Sequence, residues 1–181
     1  MKTYIAISLL IITAVSIGCT DIEKEQISID NRVYDSLRFH VRAEDKTGGL
    51  MGHNNFLFLT LMKELHNPTA PIDVEFKLTG FVGDPGICKK GSFDIEGNRV
   101  NVTIADAYSG VDTLRPGFYI DSNPVDGKNM YVTAGRCKIN SDIQKKLKEG
   151  RKLVLTFQTY NKTITADINA DYSKHIAELM P

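Results

Sequence analysis

Three cysteines, four histidines and 22 scattered carboxylates are the side chains of this 181-residue chain with the best-known chemistry. A thiol acts as a nucleophile or metal ligand through its thiolate, which needs a positive neighbour, a metal or a Cys-x-x-Cys partner. Cys19, Cys88 and Cys137 form no Cys-x-x-Cys, and no histidine adjoins Cys88 or Cys137 in sequence. His40, His53, His66 and His175 are at least 13 positions apart, whereas zinc ligands commonly come in close pairs such as i and i+4. The histidines are therefore expected on strand and loop surfaces, with no metal site and no cofactor. No Gly-x-Ser-x-Gly elbow occurs, and Ser109 before Gly110 is ordinary turn chemistry. Gly80-Phe-Val-Gly83-Asp-Pro-Gly86 is rich in glycine, but a phosphate loop must open a helix, and Pro85 with its successors opens none. Nothing in the linear sequence marks a catalytic residue.

The amino terminus has a clearer pattern. Lys2 is followed by an uncharged run from Tyr4 to Val15 and then by Ser16-Ile17-Gly18-Cys19. A charged start, a short apolar run and small residues before a cut describe an export signal, here residues 1–18. A membrane-spanning helix needs about 20 apolar residues, and this run is too short. Gly18-Cys19 resembles the bacterial lipobox, in which the cysteine after a small residue is lipidated and becomes the new amino terminus. Ser16-x-Gly18 and Ala14-x-Ser16 would also suit an ordinary signal peptidase.

Cysteine parity favours lipidation. An odd thiol is a liability in an oxidising compartment. If Cys19 carries lipid, Cys88 and Cys137 remain as a disulfide pair 49 positions apart, a loop whose closure would contribute about 4 kcal/mol. The expected location is the cell envelope, anchored by the lipid at a membrane (outer more than inner) and facing the periplasm or the surface.

Lysine plus arginine and aspartate plus glutamate number 22 each, and tryptophan is absent. No net field or basic stripe points to nucleic acid. Residues 19–31, polar and charge-rich, read as a tether, and residues 32–181 as a single domain large enough to bury a core.

The elements that must position any site are mostly strands. Leu37, Phe39 and Val41 alternate with polar residues, as do the apolar residues of Ile72 to Thr79. Phe56 to Met62 is an apolar run that fits a doubly buried strand or the start of a helix through Leu65. Phe93 and Ile95 face Val100, Val102 and Ile104 across a turn at Glu96-Gly97-Asn98. Pro116 to Asp121, Met130 to Thr133, Leu153 to Phe157 and Thr163 to Ile168 complete the strands. Ser141 to Gln144 has capping-box spacing for a helix ending at Gly150, and Asp171 to Met180 reads as a second helix. The pattern predicts a mainly β fold, an antiparallel β-sandwich or partly open barrel with one or two short helices near the carboxyl terminus. Three long loops, 46–55, 108–115 and 122–129, expose Leu50, Met51, Tyr108 and Leu114 as candidate partner-binding residues.

From Leu114 to Leu179 the chain resembles the C-terminal half of the invasion-associated locus B family of exported bacterial proteins. The matching residues are Pro116-Gly117 before Ile120-Asp121, Arg136-Cys137, Asp142 through Leu147 to Gly150, Leu153 to Phe157, and the close at Ala177-Glu-Leu179. The resemblance implies an all-β, disulfide-using export module with a non-enzymatic surface role. The expectation is a non-catalytic, lipid-anchored interaction module with a protein partner. A periplasmic inhibitor or immunity protein against a lytic or toxic enzyme is the alternative.

Overall fold

The computed structural model describes residues 22–47, 55–81, 84–113, 119–120, 123–124, 129–148 and 151–179. The export signal, Cys19, Leu50, Met51, His53 and Leu114 lie outside the described residues.

Strand β1 (Glu23–Ile29) and β2 (Arg32–Asp45) form a hairpin closed by Asp30 and Asn31 at φ 50° and 63°. Paired left-handed residues suit the right-handed strand twist, and Asp and Asn accept that conformation most readily among residues with a Cβ. β1 corrects the tether reading of these residues. It pairs along its whole length, from Glu23 opposite Arg38 to Ile29 opposite Arg32. It carries little alternation because neither face is fully buried. Polar cross-strand contacts support it instead, Arg38 to Glu25 at 2.9 Å and Gln26 to Asp35 at 2.9 Å.

β3 (Asn55–Glu64) settles the helix-or-strand ambiguity, and its burial alternates. It is therefore buried on one face only, and not on both as its apolar run suggests. β4 (Ile72–Phe81) follows, then the hairpin of β5 (Cys88–Ile95) and β6 (Asn98–Val102). Glu96 and Gly97 turn that hairpin at φ 52° and 82°, and the Asp94 carboxylate accepts from the Gly97 N–H at 2.8 Å. β7 (Ala105–Thr113), the short pair β8 (Tyr119–Ile120) and β9 (Asn123–Pro124), and β10 (Asn129–Ile139) come next. α1 (Ser141–Lys148), β11 (Leu153–Thr159), β12 (Thr163–Ile168) and α2 (Ala170–Glu178) end the chain.

The main sheet runs β6-β5-β11-β12-β2-β3-β4-β10-β7, with every pair antiparallel and β1 added beside β2. It curls into a half-barrel, so the partly open barrel is the correct arm of the sequence reading. Phe76 of β4 and Phe157 of β11 have three strands between them in sheet order, yet their rings meet across the interior at 4.4 Å. Leu37, Leu57, Leu61, Ile72, Leu78, Leu155 and Ile164 fill the space around them.

Only Thr103 and Ile104 separate β6 from β7, and the antiparallel pairings make both run the same way. Residues 98–113 thus act as one bent stave, bonded to β5 over its first part and to β10 over its second. Ile104 sits at the bend, wedged between Gly91 of β5 and Gly135 of β10. A Cβ on either glycine would come within 2.9 Å of the Ile104 side chain.

The helices cover the end of the barrel where β10 and β12 finish. The α1 cap is Asn140, whose Oδ1 accepts from the Ile143 N–H at 3.0 Å, one residue before the expected Ser141. Asn169 caps α2 in the same way through the Tyr172 N–H at 3.0 Å. Ile143, Leu147 and Ile176 are buried, and Tyr172 stacks on Phe39 at 4.9 Å. Lys63 is buried at this end, only 3% exposed. Its ammonium donates to the carbonyls of Pro68, at 2.9 Å, and Ala70. Burial pushes its pKa down, and nearby Lys148 adds to the shift.

Candidate interaction face

The outward side chains of β2, β3, β4 and β10 form the face most suited to a partner. The strand register dictates its composition. On β3 every second residue from Phe56 points outward, and Phe58 is 41% exposed. His40 of β2 stands opposite Phe58, with ring centroids 5.4 Å apart, and meets Phe56 edge-on at 5.9 Å. Tyr108 of β7 and Lys77 of β4 join Phe58 along a shallow groove of about 640 Å³.

Beside the aromatic groove runs a ladder of ion pairs set by register. Arg136 lies opposite Glu75, and Lys138 opposite Asp73. Arg136 bonds Glu75 at 2.6 Å and approaches Asp106 at 3.6 Å, while Lys138 reaches Asp73 at 3.3 Å. These pairs are half exposed and contribute about 0–1 kcal/mol each. They arrange charge on the surface more than they stabilise the fold. The ladder borders a second groove of about 690 Å³, in which Met62 and Tyr34 face Val102 and Ala105. Glu75, Asp106 and Arg136 line both grooves.

The face was half visible in the sequence. A continuous apolar run on a strand buried on one side must expose apolar groups on the other, and Phe56 to Met62 is such a run. Tyr108, by its turn-rich surroundings, is expected in a loop. It lies on edge strand β7, 53% exposed.

The cysteines do not form the expected bridge. Cys88 on β5 and Cys137 on β10 are separate, buried thiols. Their strands are not hydrogen-bonded neighbours, so no ladder sets the two Cβ atoms at bridging separation. Burial pushes the Cys88 thiol up to about 11, against the smaller opposing effect of a hydrogen bond with the Lys90 backbone. Burial likewise pushes Cys137 up to about 12, and the neighbouring Cys88 adds to it. Such thiols stay protonated and are poor nucleophiles.

The histidines are dispersed. His40 lies on the aromatic face, His66 in the exposed β3–β4 connection, and His175 on α2 with its Nδ1 at 3.2 Å from Glu178. Among the described residues no three His, Cys, Asp or Glu side chains are gathered as a metal-binding group. No described helix is long and apolar enough to cross a membrane.

No family model and no curated protein matches the chain. A solved structure of a novel protein of unknown function from Burkholderia pseudomallei K96243 is similar at 12% identity. The likeness covers 77% of this chain and 84% of that one, with a TM-score of 0.39.

Proposed function

We propose that the chain is an exported envelope protein, lipid-anchored through Cys19, that binds a protein partner without catalysis. The observation carrying this reading is the outward face of β3 and its neighbours. Phe58 and Tyr108 are half exposed there, on a rigid sheet, beside fixed charges. Aromatic groups with cationic neighbours on a firm support are the usual anchors of protein interfaces. The charge-and-apolar start followed by Gly18-Cys19 supports export and anchoring.

Two measurements test the reading. Mass analysis of the protein from its native envelope should show a chain beginning at Cys19 with a lipid-sized increment. An unmodified amino terminus at another residue would remove the anchor. Capture of envelope proteins should depend on the face. Phe58→Asp is expected to weaken recovery of the partner at least tenfold while shifting the unfolding midpoint little, since surface changes stay within about 0.5 kcal/mol. Equal recovery by both forms would exclude this face.

A further inference from the structure

The stave formed by β6 and β7 leaves the barrel split on one side of Ile104. β7 begins opposite Arg136, so beyond that point β10 pairs with β4 alone. β6, carried away by the bend, pairs only with β5. Among the described residues, the edge of β10 at Cys137–Ile139 and the outer edge of β6 therefore have no strand partner. The groove of about 690 Å³ lies along this split, with Asn101, Val102 and Thr103 on one lip and Cys137 and Lys138 on the other. Unpaired strand edges present alternating N–H and C=O groups and are templates for an added strand. The volume falls in the range of ligand-binding clefts.

The walls also specify charge. Asp73, Glu75 and Asp106 line the groove with only Arg136 and Lys138 against them. Three carboxylates and two cations leave it one charge negative, which favours a basic occupant.

We propose that this split takes a short extended peptide, added as a strand beside Cys137–Ile139, with a basic side chain seated toward Asp73, Glu75 and Asp106. The mode is strand addition, in which main-chain hydrogen bonds give affinity and alternate side chains give selectivity. At about 3.3 Å per residue, the three-residue lip matches a segment of three or four residues. The Ile139 carbonyl already accepts from Gln144 Nε2 at 3.1 Å, so the paired core ends beside α1 and the occupant's flanking residues extend past it. This inference rests on the binding reading above and names its partner chemistry.

The probes are three blocked pentapeptides: acetyl-SVKVS-amide, the same peptide with its central backbone nitrogen methylated, and acetyl-SVEVS-amide. Each is titrated into the intact, 15N-labelled chain. The first should shift the amides of Asn101 to Thr103 and Arg136 to Ile139 in a saturable manner. The methylated and acidic peptides should bind at least tenfold more weakly. Absence of shifts at those amides up to millimolar peptide, or equal binding of the methylated form, would overturn the proposal. Partner capture that is lost in Phe58→Asp but indifferent to saturating acetyl-SVKVS-amide would also overturn it, while leaving the binding reading intact.

Discussion

Ile104 holds the two margins of the sheet together, and it can do so only because Gly91 and Gly135 lack side chains. At Gly135 an added Cβ would meet both Ile104 Cγ2 at 2.9 Å and the Phe76 ring at 3.0 Å. Gly135→Ala should therefore destabilise the protein by about 1–3 kcal/mol, the range for overpacking. In a double-mutant cycle, Ile104→Ala should recover part of that loss. Additive costs in denaturant titrations would show that the wedge is not the source of strain. The two thiols make a separate prediction about pH. Their folded-state values, about 11 for Cys88 and about 12 for Cys137, stand above the ordinary thiol value of 9.0. Between those limits the unfolded chain has released protons that the folded one retains, so stability must fall as pH rises. It is fully present below pH 9 and is lost toward pH 12. The difference in unfolding midpoint between the protein and Cys137→Ala should narrow across this range; a constant difference would contradict the assignment. At neutral pH neither thiol should react with iodoacetamide until the protein unfolds.

Strands with one apolar face were legible in the sequence, because alternation records burial directly. Ile72 to Thr79, Leu153 to Phe157 and Thr163 to Ile168 all became strands with their apolar residues inward. β1 and β7 were not legible for the same reason. Both are edge strands with mostly exposed side chains, so no period-2 signal distinguishes them from polar connections. β7 is further disguised by the irregularity around Asp106, a non-glycine residue at φ 49° where the β10 register shifts. Such bulges also discourage edge-to-edge association. Helix existence was clear and its start was displaced by one residue, since Asn140 and Ser141 are both competent caps and sequence does not choose between them. The structure makes the choice testable. Asn140→Ala should lower stability by about 1 kcal/mol, as should Asn169→Ala at α2, whereas Ser141→Ala should change it by only a few tenths. Equal losses at Asn140 and Ser141 in thermal or urea melts would return the cap to Ser141.

At the scale of the molecule, closure was the least legible property. Sandwich and barrel share the same strand-level alternation, and the decision lies in contacts between residues far apart in sequence. Phe76 and Phe157 are the plainest of these, since they join walls separated by β12, β2 and β3. The candidate face has the same origin: Phe58, Lys77, Tyr108 and Arg136 become neighbours only through sheet order. Sequence supplied one strand of the face, in the apolar run of β3, and could not supply its companions. If the walls are mutually dependent, a cavity between them must weaken both. Phe157→Ala removes a ring that is 2% exposed, and should cost about 3–5 kcal/mol. Hydrogen exchange then locates the effect. Amides of β4 should lose protection in parallel with those of β11, although three strands intervene, because the barrel opens as one cooperative unit. Loss confined to β11 and its bonded neighbours β5 and β12 would instead mean that the curled sheet opens in independent halves, and that the Phe76–Phe157 contact does not couple them.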